Sequence, residues 1–135
     1  MMTSVQWMIS DTLLDVGINP GLLGWDYLKV GVEMVYNDRE YLRNMTGKLY
    51  PDIAKEVGST TSRVERAIRH AIESAFNNMT EDTRKKYFGN VVSMNSGKVT
   101  NTTFIAVIVE RIQNSIQADG VMREEEHHNA GNGVE

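Results

Sequence analysis

Apolar residues recur along this chain at three- and four-residue steps, the pattern of helices with one buried face. Val5, Met8, Ile9, Leu13 and Val16 form the first such stretch, and Gly17 followed by Pro20 ends it. Pro20 suits the first turn of a second helix, in which Trp25, Leu28, Val32 and Val35 keep the spacing as far as Asn37-Asp38. Pro51 and Gly58 bracket a short helix holding Ile53, Ala54 and Val57, and a longer helix follows from about Thr61 to Phe76. Thr80 to Gly89 carries every end signal of a short helix: a capping threonine, acids in the first turn, bases in the last turn and a closing glycine. The stretch 90–100 is loop-like, with a turn at Asn95-Ser96-Gly97 and at most a short extended piece at Val91-Val92. Phe104, Ile105, Ile108, Ile112 and Ile116 then share one face of a last helix, about Asn101–Gln117. The expected fold is all-α, about six helices in a compact bundle containing a helix-turn-helix.

That motif is expected at about 50–76. Two helices crossing steeply through a tight turn need a small residue at their contact and a backbone that tolerates a left-handed conformation. Ala54 and Gly58 meet those needs, with Ile53, Val57, Val64 and Ala67 filling the elbow. Ser59, Thr60 and Thr61 all offer capping oxygens, and Ser62–Glu65 has capping-box spacing, so the N-cap stays open. Along the second helix, Val64, Ala67, Ile68, Ala71, Ile72 and Ala75 are apolar, while Ser62, Arg63, Arg66, Arg69 and His70 fall on the other side. Arginine forks suit guanine edges and phosphates, so this face fits a DNA major groove. The stripe alone also fits a solvated face with Glu65–Arg69 and Arg69–Glu73 pairs. Joined to the elbow, it favours DNA. Lys48, Lys55, Arg84, Lys85 and Lys86 are further candidates for phosphate contact.

Charge first argues against that reading, since the net charge is −4. The sum conceals an uneven distribution. Residues 121–135 hold four glutamates against one arginine, whereas residues 39–86 hold ten basic against seven acidic residues. The expected division is therefore a helix-turn-helix domain over 1–118 and a disordered acidic tail over 119–135, too poor in apolar residues to fold alone. With 135 residues and no cysteine, disulfide scaffolds, cysteine-ligated zinc and cysteine nucleophiles are excluded. The longest apolar run, Phe104–Val109, is far short of a membrane span, and the N-terminus lacks a basic start and an apolar stretch. A soluble, cytoplasmic protein is expected.

Several stretches resemble the C-terminal effector domain of the stage-zero sporulation response regulator. They are Met34-Val35-Tyr36-Asn37-Asp38, Leu49-Tyr50-Pro51-Asp52-Ile53-Ala54-Lys55, and the twelve-residue run from Ser62 to Glu73. Phe88-Gly89, Val92-Ser93-Met94, Thr100-Asn101 and Phe104-Ile105-Ala106 follow in the same order. The resemblance covers roughly 5–117. It implies six helices around a helix-turn-helix and a recognition helix reading a box like T-G-T-C-G-A-A, often as tandem copies. By position it implies that Arg63 and Arg66 read bases, with Ser62, Arg69 and His70 contacting bases or phosphates nearby. It also implies that about 79–93 faces the housekeeping sigma factor and that the last helix meets a neighbouring DNA-bound copy. Three features depart from the family: no receiver domain, a more basic Thr83-Arg84-Lys85-Lys86, and an acidic tail without counterpart. The Met-Met start is read as a natural reading frame, and the chain as a receiver-less standalone effector domain.

No catalytic constellation stands out. His70 is the single histidine of positions 1–118, His127 and His128 lie in the tail beside Glu124–Glu126, and Gly17–Gly24 lacks the order of a phosphate loop. Neither enzyme activity, a metal nor a cofactor is expected. Trp7, Trp25 and the scattered methionines are read mainly as packing residues. The expected function is a sequence-specific DNA-binding regulator of sporulation-type genes, with double-stranded DNA as partner. The alternative is an interaction module or antagonist acting on sigma factor or on a full-length regulator.

Overall fold

Among the described residues, six α-helices form around the predicted apolar faces. The computed structural model describes residues 1–89, 91 and 98–134, with side chains placed through Ala118. The helices are α1 (Ser4–Val16), α2 (Leu23–Asn37), α3 (Tyr50–Val57), α4 (Thr61–Asn78), α5 (Glu81–Phe88) and α6 (Asn101–Val134). No strand occurs among the described residues. Between α2 and α3 the chain makes a 3-10 turn, Arg39–Arg43, and a π-turn, Met45–Leu49. Neither shows in the apolar spacing, because Leu49 is the only fully buried residue of the two.

Start and stop signals act mostly as expected. Thr3 caps α1 in a reciprocal capping box with Gln6, and Gly17 ends it in the left-handed conformation at φ 97°. Thr80 caps α5 by accepting from the Thr83 N–H at 3.2 Å. Two signals act differently. Pro20 does not open α2; the Asn19 side chain accepts from the Gly21 N–H and its carbonyl from the Leu22 N–H, so Pro20 occupies a tight turn before the helix. Gly89 closes α5 in a right-handed conformation, φ −50°, so it supplies no left-handed cap.

α2 is the central helix, packed against α1, α3, α4 and α6. Its glycines explain how. A Cβ on Gly24 would lie 2.3 Å from the Ala67 carbonyl oxygen of α4, and one on Gly31 would lie 2.9 Å from the Ile53 Cδ1 of α3. Seven residues separate them, two helical turns, so both small positions face the helix-turn-helix. Phe76, Phe88 and Phe104 join α4, α5 and α6, with ring centroids 5.0 and 5.6 Å apart.

α1 and α5 are joined by polar contacts. The Tyr87 hydroxyl and Lys86 Nζ both donate to Asp15 Oδ2, the lysine at 3.2 Å. Arg111 of α6 donates to the Lys86 carbonyl and lies 4.7 Å from the Tyr87 ring centroid. Trp25 is buried as expected, but Trp7 is 58% exposed, since it falls outside the α1 stripe formed by Ile9, Leu13 and Val16. Met8, Met34, Met45 and Met79 only edge the core, and Met1 is exposed. The α6 backbone continues through Val134, past the end expected near Gln117. Val92, Met94 and the turn at 95–97 lie outside the described residues, and the side chains of Met122, His127, His128 and the rest of the tail lie outside the described side chains.

Candidate nucleic-acid interface

The elbow between α3 and α4 is built as its residue types require. Ile53 and Ala54 are buried, Val57 is half-buried, and Gly58 turns the chain at φ 70°, ψ 42°. The N–H groups of Gly58 and Ser59 both donate to the Ala54 carbonyl. Thr60 resolves the open choice of cap: its hydroxyl accepts from the Arg63 N–H at 3.3 Å. Ser62 therefore sits inside the first turn, exposed, and does not cap.

The buried face of α4 is Val64, Ile68, Ala71, Ile72, Ala75 and Phe76. Ser62, Arg63, Arg66, Arg69 and His70 are all exposed on the opposite side. At about 100° and 1.5 Å per residue they span an arc of about 120° and a length of about 12 Å. That footprint is comparable to the width of a B-DNA major groove. Among the described residues Arg63 and Arg66 have no carboxylate partner, while Arg69 donates to Glu65. Glu73 makes no ion pair within that set, so only one of the two pairs expected on this face forms.

Two adjoining clefts flank this face. The larger, about 610 Å³, is lined by Met45, Thr46, Tyr50, Ser62, Arg66 and Thr102, among others. The smaller, about 310 Å³, runs along Ile72, Glu73 and the approach to α6. Tyr50, Glu65, Arg69 and Thr102 border both. Arg63, His70 and Lys55 line neither cleft; Lys55 is exposed in the last turn of α3.

Apolar spacing misses the residues that position α4. Asn101, the first residue of α6, donates through Nδ2 to the Tyr50 hydroxyl at 3.0 Å and to the Glu65 carbonyl at 3.5 Å. Three helices meet at this amide. Burial pushes the Tyr50 hydroxyl pKa up, and the bond from Asn101 partly opposes the shift. Behind it, the Tyr41 hydroxyl donates to Asp52 at 2.6 Å, which raises the tyrosine pKa, and Lys48 Nζ lies 5.2 Å from the Tyr41 ring centroid. The partners are 11 to 51 residues apart, so no local spacing signals them.

α5 shows a mixed surface. Lys85 is exposed, Lys86 is engaged by Asp15, and Arg84 is half-buried. No helix among the described residues is long and apolar enough to cross a membrane. Comparison with known families gives a match over residues 9–112 to the family described as "Sporulation initiation factor Spo0A C terminal".

Proposed function

The chain belongs to the sporulation initiation factor Spo0A C-terminal family, a family of helical DNA-binding regulatory domains, and on that premise we propose that it is a sequence-specific DNA-binding transcriptional regulator of sporulation-type genes. Its recognition helix, α4, lies in the major groove. The observation that carries this reading is the exposed state of Arg63 and Arg66, without a carboxylate partner among the described residues, on a helix whose other face is locked into the core. Both forks are free to meet base edges, and each good bidentate contact contributes roughly 1–3 kcal/mol of discrimination. Ser62, Arg69 and His70 contact bases or phosphates beside them, and Lys55 a phosphate.

The same reading assigns sigma-factor contact to about 79–93, tandem binding of two copies to adjacent boxes, and a cytoplasmic location on the nucleoid. It treats 1–118 as the effector domain and 119–135 as an acidic extension. Selection of bound sequences from a random duplex pool tests DNA binding and the box together. Arg66→Ala removes preference for the selected box while the helical circular-dichroism signal stays. If that variant still selects the box, the base-reading role is wrong. If the wild-type protein binds no duplex in a salt-sensitive manner, the interaction-module alternative replaces DNA binding.

A further inference from the structure

The cations at the end of α5 outnumber the carboxylates that answer them. Arg84, Lys85 and Lys86 follow one another there. Arg111 of α6 and Lys86 lie 4.7 and 5.2 Å from the Tyr87 ring centroid. Asp15 accepts from Lys86 at 3.2 Å and from the Tyr87 hydroxyl. Among the described residues Arg84, Lys85 and Arg111 pair with no carboxylate, and the buried Arg84 Nε has no acceptor.

The opposite surplus lies at the far end of α6. Residues 121–135 hold four glutamates against one arginine, and the α6 backbone stays helical through Val134. Arg111 donates to the Lys86 carbonyl, and long helical side chains lean toward the helix N-terminus, so this part of α5 sits level with Arg111 or before it. Glu124 lies about 20 Å beyond Arg111 along the helix axis, at about 1.5 Å per residue. A lysine and a glutamate side chain together do not bridge that length. The acidic end of α6 therefore cannot close on its own α5.

We propose that the cationic cluster around Tyr87 is a docking surface for the acidic 121–135 end of a second copy of this chain. Exposed ion pairs are individually weak and are screened by salt, so free copies associate loosely. Copies held side by side on one duplex have a high effective concentration, and there the same contact makes binding cooperative. A docked end covers part of the 79–93 segment assigned above to sigma factor, so the two occupants exclude each other on a given copy. This docking goes beyond the DNA-binding reading and needs no DNA to be tested.

The test mixes full-length protein of natural and heavy-nitrogen isotope content at low salt and adds a carbodiimide, which joins a carboxylate to a touching amine without a spacer. Mass spectrometry then identifies the linked peptides. Links from Glu124, Glu125 or Glu126 to Lys85 or Lys86 form and include mixed-isotope pairs. Their yield falls on dilution and is lost at about 1 M salt, where the screening length is about 3 Å. Lys85→Glu loses most of these links. Combined with Glu124→Lys, Glu125→Lys and Glu126→Lys, it recovers a mixed-isotope link between position 85 and 124–126, with the helical circular-dichroism signal unchanged throughout. Links confined to single-isotope pairs overturn the proposal, since the acidic end then closes on its own chain. Links that run only to other lysines overturn it by giving the acidic end another seat. The absence of any link from 124–126 also overturns it and leaves the cluster to DNA phosphate or to a partner protein. If mixed-isotope links form but the protein binds no duplex, this inference stands and the DNA-binding reading fails.

Discussion

At the scale of single residues, the turn that presents α4 depends on two side-chain identities with different physical roles. A Cβ at Gly58 would meet nothing within 4 Å, so the cost of Gly58→Ala is purely conformational. Holding a non-glycine residue in the left-handed region costs roughly 1–2 kcal/mol. We expect the unfolding free energy from urea denaturation to fall by that amount, with box selection retained by the folded fraction. Thr60 contributes through a hydrogen bond instead. Its hydroxyl satisfies the N–H of Arg63, so Thr60→Ala loses about 1 kcal/mol of stability and frays the turn that carries Arg63, proposed above to read bases. Box affinity in Thr60→Ala falls more than Gly58→Ala lowers it, although their stability losses are similar. Equal losses of affinity would show that the cap has no part in positioning Arg63.

At the scale of helices, the two glycines of α2 make an internal comparison. The hypothetical Cβ of Gly24 runs into a backbone carbonyl and the Ala71 methyl, neither of which can swing aside. Gly24→Ala therefore destabilises by about 1–3 kcal/mol or more, as overpacking does. The Cβ of Gly31 meets only the end of the Ile53 side chain, which can rotate. Gly31→Ala also gains up to about 1 kcal/mol of helix propensity, so its net effect stays near zero. Thermal melts of the two variants check this difference. The link between α1 and α5 supplies a pH signature. Burial and the bond to Asp15 raise the Tyr87 pKa to about 12, so the folded state favours neutral tyrosine. That contribution is complete below about 10, the ordinary tyrosine pKa, and is lost as pH rises toward 12. Tyr87→Phe unfolds with a weaker alkaline dependence, measured by denaturation across that window. Asp15 shows the opposite sign: bonds from Tyr87 and Lys86 lower its pKa, so its contribution is lost as pH falls below the usual carboxylate range.

These elements also show what the sequence disclosed. The six α-helices among the described residues and the exposed basic face of α4 were legible, because apolar residues at Val64, Ile68, Ala71 and Ile72 leave the arginines only one side to occupy. The two turns between α2 and α3 were not, since 3-10 and π geometry have no repeating buried face over five residues. Glycine within α2 looks like a weakness of the helix in one dimension and becomes a close contact only when α4 is beside it. Asn101 and Tyr50 were visible as residues of the family resemblance, but their meeting with Glu65 depends on tertiary packing.

At the scale of the whole molecule, net charge is a poor guide to the partner. The basic residues cluster in the middle of the sequence, and the surplus of acid lies in the last fifteen positions. Deleting residues 123–135 removes that surplus and is expected to raise scrambled-duplex affinity at low salt, an effect that fades as salt screens it. Unchanged affinity at low salt would remove any electrostatic role for the segment. The approach of α2 to α4 has a further consequence. With the Ala67 carbonyl seated against Gly24, α4, the proposed recognition helix, cannot slide along its axis without breaking the core. A fixed reading helix leaves shape adjustment to the duplex. Sequence preference should therefore extend to steps that no side chain touches, where flexible pyrimidine–purine pairs let the groove widen or bend at lower cost than stiff A-tracts.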